Sequence, residues 1–370
     1  MNDWPACGLL ISPNFHGYGD AIAATIERRG IEMSHLQYPD ADESLSKKLY
    51  YASLKLFKYS DLKKDIERLK LRRHSNLIDA FNEDVRRSVR ETDPDFVLVI
   101  KGEFLRPDTV RWLRDETRVT TALWSYDELE RLPYTAEGGR FYDNVYVFDP
   151  ADTERFADNI VPSYLPLAHD GTKFDETTTE GPSIDVSFVG NLRDDRRREL
   201  LTHLASELDI DIQIWDSAWD WYNPFSVYRY RVKHRALGDR VNNQYVDHAT
   251  INEIYNRSRI CVNVHKSWKV KNGGPVGLNM RTFEIPGAGA FQLISDVPNI
   301  ESAFEVGEEL VTYDSKENLL DKVRYYLDND EERERIAANG YQRAKDEHTF
   351  EHRIGVILDG VRNAYPERHT

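Results

Sequence analysis

The sequence predicts an α/β protein built from two Rossmann-like halves, each a parallel sheet covered by helices on both faces. Short apolar runs bounded by turn residues recur along the chain, as in Phe96-Val97-Leu98-Val99-Ile100 and Ile260-Cys261-Val262-Asn263-Val264. Such runs suit strands buried on both faces. Between them stand segments with helical apolar spacing, and alternation of the two marks a parallel sheet. The pattern runs once, breaks near residue 168, and runs again in a chain of 370 residues, which is long for one core.

In the first half, Ala6 to Ile11 reads as a buried strand and Ser12 to Gly19 as a loop. Asp20 reads as an N-cap for a helix from Ala21 to Arg29 that stops at Gly30. Gly17-Tyr18-Gly19 lacks the third glycine of a dinucleotide fingerprint, because Ile22 stands there, so a tight turn is the plainer reading. Ser46 to Arg73 reads as a helix with a basic face (Lys47, Lys48, Lys55, Lys58, Lys63, Lys64, Lys70, Arg72, Arg73). Such a face suits peripheral contact with an anionic membrane surface, or simply a solvated helix over the core. A helix follows over Leu77–Arg90, then the strand Phe96–Ile100, a helix over Pro107–Asp115, and strands Thr120–Trp124 and Val145–Phe148. In such sheets ligands sit beyond the strand C-termini, where Lys101, Asp127 and His16 stand, each a site candidate or equally a plain loop residue.

Gly171 to Pro182, rich in Thr, Asp, Glu and Gly, reads as a linker. The second series then gives strands over Ile184–Val189, Ile210–Trp215, Ile260–Val264, Phe291–Ser295 and Leu310–Tyr313. Helices are expected over Asp195–Leu208, Thr250–Ser258, Asn299–Phe304, from Lys316, over Glu331–Lys345 and over Phe350–Val361. Trp219 to Arg240 interleaves aromatic and basic residues that could stack and clamp a ligand or nucleic acid, but with no repeat or nucleic-acid motif a lid or packing insert is the more economical reading.

The stretch Asn279-Met280-Arg281-Thr282-Phe283-Glu284-Ile285-Pro286-Gly287 concentrates the chemistry. A carboxylate at a helix start can accept two hydrogen bonds from a vicinal diol, as acidic residues do with ribose. Arg281 and backbone N–H groups beside it suit a diphosphate. The bland alternative gives Glu284 to the helix dipole and Arg281 to a surface pair.

Composition narrows the classes. The net charge of −15 argues against a nucleic-acid binder that relies on bulk positive charge. No basic leader and no run of about 18 apolar residues is present, so a cytoplasmic protein is expected, with peripheral contact at the inner face of the membrane as its one membrane role. Cys7 and Cys261 read as reduced residues of buried strands without metal-ligand spacing. Asp93-Pro94-Asp95, Asp209-Ile210-Asp211 and Asp328-Asn329-Asp330 read as loop or strand-edge residues, and no metal site is expected.

Several motifs in order carry a family resemblance: Val186-Ser187-Phe188-Val189-Gly190-Asn191, Ile260 through His265, Asn279-Met280-Arg281-Thr282-Phe283-Glu284, Phe304 through Glu309, Tyr325-Tyr326-Leu327 and His348-Thr349-Phe350-Glu351-His352-Arg353. Together they resemble the CgeB-like, spore-maturation-type glycosyltransferases of the GT-B class. The resemblance implies a GT-B fold whose domains face an interdomain cleft. It divides the chain into an acceptor-side domain at 1–168, a linker at 169–183, a nucleotide-sugar-binding domain at 184–346, and a terminal helix at 347–370 that crosses back. It also implies metal-independent transfer of a sugar from a nucleoside-diphosphate sugar to a glycan, lipid-linked or protein acceptor, with no cofactor.

On the same resemblance, Glu284 holds the ribose hydroxyls and Arg193, with Arg196 or Arg197 as substitutes, holds the diphosphate. Arg281, His265 and Lys266 line that site, and Asn279, Thr282 and Gly190 complete the donor set. Val276 stands where the fuller retaining pattern has a second glutamate, so retention or inversion stays open. An inverting reaction needs a general base near the acceptor hydroxyl, for which His16 and Asp127 are the candidates. Alternatives are a nucleotide-sugar epimerase of the same plan, a non-catalytic nucleotide- or sugar-binding scaffold, and an NAD-dependent dehydrogenase, the last undercut by the incomplete glycine pattern.

Overall fold

The computed structural model describes residues 5–14, 17–39, 72, 74–154, 161–177, 182–192, 194–216, 232–242, 244–265 and 276–369. His16, Arg193 and Lys266 lie outside these residues, as do nearly all of the basic stretch 46–73 and the aromatic–basic stretch 219–231. Two compact units emerge, one of Met1–Pro166 with Phe350–Thr370, the other of Leu167–Thr349.

The first unit runs β1 (Cys7–Ser12), α1 (Tyr18–Glu27), β2 (Glu32–Gln37), α2 (Ser75–Thr92), β3 (Phe96–Ile100), α3 (Pro107–Glu116), β4 (Thr120–Trp124), α4 (Pro133–Gly138), β5 (Asn144–Val147) and β6 (Ser163–Tyr164). Its six strands are parallel in the order β2-β1-β3-β4-β5-β6. Every residue of β3 and β4 is buried, because each strand has neighbours on both edges and helices on both faces. Pro107 opens α3, where its fixed φ and missing N–H cost nothing.

Three local features of this unit differ from the sequence expectation. The strand β2 has no counterpart among the apolar runs: Glu32-Met33-Ser34-His35-Leu36-Gln37 is an edge strand with one neighbour and mostly half-buried side chains. Asp20 is not the cap of α1. The helix begins at Tyr18 behind a left-handed Gly17 (φ 71°), and Asp20 sits in its first turn, 3.0 Å from His35 Nδ1. Cys7 opens β1 only half-buried, whereas Cys261 is fully buried.

The second unit runs β7 (Ile184–Val189), α5 (Asp195–Glu207), β8 (Ile212–Trp215), β9 (Val241–Asn242), α6 (His248–Asn256), β10 (Ser258–Asn263), α7 (Arg281–Gly287), β11 (Gln292–Ser295), β12 (Val311–Tyr313), α8 (Lys316–Asp328) and α9 (Asp330–Glu347). Its parallel sheet has the order β12-β11-β10-β7-β8-β9. The chain leaves β7 toward β8 on one side and resumes at β10 on the other, a topological switch point. The helix expected at Asn299–Phe304 is a single 3-10 turn at Ile300–Ser302.

Residues 167–177, which read as a domain end and linker, pack within this unit. Phe174 is buried against Tyr255, Cys261 and Ile285. The side chains of Asn252 and Asn256 on α6 bond the backbone of Asp175 and Thr177 at 2.8–3.1 Å. The last helix, α10 (Phe350–His369), belongs to the first unit, where Ile354, Ile357, Leu358 and Val361 are fully buried.

Candidate donor-binding site

The site forms in the second unit at the C-terminal ends of β7 and β10, the two strands that flank the switch point. β7 runs out into Gly190, whose φ of +149° is a backbone conformation side chains rarely adopt. A Cβ on Gly190 would lie 2.8 Å from Nη1 and 3.3 Å from Cζ of Arg281. The glycine therefore opens the space in which the Arg281 guanidinium lies.

A second cation is close by. Asp194 caps α5, its Oδ1 accepting from Arg196 N at 2.9 Å, and this sets Arg197 on the inward face of the first turn. Arg197 is 4% exposed. Its Nε and Nη2 donate to Val264 O at 3.1 and 3.0 Å, and its Nη1 to Asn191 O at 3.0 Å. The guanidinium thus ties the end of β10 to the loop after β7. Burial, and then the charge of Arg281, push its pKa down to about 9. Two guanidinium groups crowded together, both still charged at neutral pH, make a place where an anion is favoured.

Arg281 is held from the other side by amides. Asn263, the last residue of β10, is fully buried. Its Oδ1 accepts from Asn279 Nδ2 at 3.0 Å and from Arg281 Nε at 3.4 Å. Its Nδ2 donates to Gln292 Oε1 at 2.9 Å and to Asn279 Oδ1 at 3.2 Å. Gln292 passes the network on to Thr282 O at 3.2 Å. Asn279 in turn accepts from Thr282 N at 3.2 Å and lies 3.3 Å from His265 Nε2. The ring hydroxyl of Tyr313 closes the base of the network, donating to Asn263 O at 3.3 Å.

Glu284 stands in the first turn of α7 and is 4% exposed. Its charge is felt by Tyr255, whose hydroxyl is pushed well up, first by burial and next by Glu284, with Arg281 opposing. Of the sequence candidates, the structure gathers Gly190, Arg197, His265, Asn279, Arg281, Thr282 and Glu284 in one unit. Sequence reasoning missed Asn263 as a site residue. The available signal was a lone amide in the otherwise apolar run Ile260–Val264.

In the first unit, the loops after β3 and β4 each carry a left-handed residue, Lys101 (φ 70°) and Tyr126 (φ 56°). Lys101 pairs with Glu103 at 2.9 Å. Asp127 accepts from Glu128 N and from Arg131 Nη1, both at 3.0 Å, so its carboxylate is already engaged. Among the described residues no group of three His, Cys, Asp or Glu could hold a metal ion, and no helix is long and apolar enough to cross a membrane.

Residues 196–359 match the model of a family described as glycosyl transferase-like. The spore protein CgeB of Bacillus subtilis (strain 168) is 21% identical over 271 residues, which make 70% of this chain and 80% of that protein. Among solved structures, a sucrose-phosphate synthase from Thermosynechococcus elongatus superposes with a TM-score of 0.67 at 12% identity, over 97% of this chain and 98% of that one. Alr3699/HepE from Anabaena, solved with UDP and glucose, superposes with a TM-score of 0.60 at 10% identity, over 96% and 98% of the two chains. The two parallel-sheet Rossmann-like units have the GT-B fold.

Proposed function

We propose that this chain, a CgeB-like glycosyltransferase of the GT-B class, moves a sugar from a nucleoside-diphosphate sugar to a glycan acceptor. The observation that carries the reading is the pair Arg281 and Arg197 at the switch-point ends of β7 and β10, with Glu284 buried in the helix that Arg281 begins. A leaving diphosphate gathers charge as the glycosidic bond breaks, and fixed cations there lower the barrier. Glu284 supplies the acceptor pair for a ribose diol. That HepE was solved with UDP and glucose supports a uridine diphosphate donor.

In this reading Asn263 and Asn279 orient Arg281, Gly190 admits it, and His265 lines the sugar side. The two guanidinium groups carry the charge that a metal would otherwise carry, so chelation with EDTA is expected to leave turnover intact. His16 and Asp127 stay the acceptor-side base candidates for an inverting outcome, and Arg193 and Lys266 remain proposed donor contacts. A cytoplasmic location accompanies a nucleotide-sugar donor.

The test is mass spectrometry of products from purified protein offered a panel of nucleotide sugars with and without glycan acceptors. Sugar-extended acceptor and free nucleoside diphosphate are expected. Turnover of the donor alone to an isomer would make the chain an epimerase, and no turnover with no diphosphate binding would make it a scaffold.

A further inference from the structure

We propose that the first unit carries a phosphate-binding site, separate from the donor site, formed by Arg111, Arg114 and Arg140 around the ring of Phe141. The three guanidinium carbons lie 4.6, 5.1 and 4.9 Å from the Phe141 ring centroid. Phe141 is 6% exposed, so the ring is a fixed plate packed into the core. A ring has two faces and three cations stand over it, so at least two of them share a face. Cations sharing a face raise the local positive potential, which a bound anion would offset.

The protein's own carboxylates do not fully supply that anion. Asp115 lies 2.8 Å from Arg114. Arg111 and Arg140 are exposed and, among the described residues, have no carboxylate within 4.0 Å. Cation–π attraction at exposed sites is worth about 0.5–1 kcal/mol, enough to orient a guanidinium but not to discharge it. A guanidinium stacked flat keeps its N–H edge free for two oxygens of a phosphate. Trp112, the residue after Arg111, also has Arg86 and Arg90 each 5.2 Å from its ring, but there Arg86 is paired with Asp108 at 3.2 Å, so that cluster is compensated where the Phe141 cluster is not. In a chain of net charge −15, such a cluster is a local exception that selects anions.

Placement argues for holding rather than chemistry. α3 and the turn containing Phe141 lead into the N-terminal ends of β4 and β5. The cluster therefore lies at the edge of the first sheet opposite the strand C-termini, where Lys101 and Asp127 stand. The ligand class is a phosphate ester, either on a soluble molecule or on a lipid headgroup. The inference does not rest on the sugar-transfer reading.

The experiment compares full-length wild type with R111Q/R140Q, which leaves the ring and the donor site untouched. Inorganic phosphate is titrated by calorimetry, and phosphatidylcholine vesicles with and without phosphatidic acid are used in flotation. Binding is expected to weaken about tenfold or more in R111Q/R140Q, the scale of lost charge-assisted contacts, with the thermal midpoint unchanged or raised. A response confined to free phosphate assigns a soluble ester, and one confined to phosphatidic acid vesicles assigns a headgroup. R111K/R140K keeps the charge without the guanidinium's fork of N–H donors and is expected to bind less tightly than wild type. Failure of wild type to bind either probe, equal binding by R111Q/R140Q, or full binding by R111K/R140K overturns the site. If R111Q/R140Q does not fold, the exposed single variant R140Q carries the same comparison.

Discussion

The guanidinium of Arg281 lies where a side chain on Gly190 would have to go, with Nη1 2.8 Å from the missing Cβ. One strand end is thus kept bare so that a cation from another element can reach it. The same cation depresses the pKa of Arg197, after burial, to about 9. These three residues couple backbone geometry to charge, and the proposed donor chemistry depends on that coupling.

Replacing Gly190 with alanine is expected to displace the guanidinium and to strain a backbone at φ +149°. The strain should cost about 1–3 kcal/mol of stability. The affinity for UDP should fall by more than this destabilisation accounts for, because Arg281 loses its seat. Calorimetry with UDP beside a thermal melt separates the two. UDP binding at wild-type strength in G190A removes Arg281 from the diphosphate site.

Glu284→Ala is expected to weaken UDP by about tenfold to a hundredfold, the range for losing hydrogen bonds to a charged acceptor. Pyrophosphate has no ribose and should bind the variant as it binds wild type. Thermal shift with both ligands reads the difference directly. An equal loss for UDP and pyrophosphate would assign Glu284 to holding α7 rather than to the diol.

Much of this was legible from the sequence, and the exceptions have physical causes. Buried central strands such as β3 and β4 announce themselves because both faces must be apolar. β2 does not, since an edge strand with half-exposed residues such as Ser34 and His35 carries no apolar run. The proposed donor motif from Asn279 to Glu284 stands out as a polar cluster beside small residues. Asn263 did not, because its value lies in bonds to Asn279 and Gln292, 16 and 29 residues away, and spacing along the chain does not reveal such partners. Asp20 read as a cap because carboxylates favour helix starts, whereas the left-handed Gly17 sets the start and frees Asp20 for His35.

The cysteines should differ in reactivity. Burial pushes the Cys261 thiol from an ordinary 9.0 up to about 12, so the folded protein keeps that proton where the unfolded chain loses it. The native state then binds more protons than the unfolded state between these values, and this contribution to stability falls as pH rises from 9 toward 12. Below pH 9 the contribution is fully present. Alkylation followed by peptide mass spectrometry at pH 8 should modify Cys7, half-buried at the start of β1, well before Cys261. Modification of Cys261 at the rate of Cys7 would show that the layer over it, formed by Phe174, Tyr255 and Ile285, opens in the native state.

Asn263→Leu tests the amide network as a unit. The leucine is close in size but strips partners from Asn279, Gln292 and Arg281 at once, and all three are drawn to one buried point. Leaving buried amides unpaired is expected to cost about 2–4 kcal/mol in urea unfolding. Asn263→Asp is the sharper variant. Its carboxylate can still accept from Asn279 and Arg281 but offers no N–H to Gln292, and its charge neutralises the guanidinium that the diphosphate would need. Asn263→Asp should therefore lose more UDP affinity than Asn263→Leu for the same loss of stability. If the two variants lose affinity only in proportion to stability, Asn263 is a packing residue and Arg281 takes its orientation from Gly190 alone.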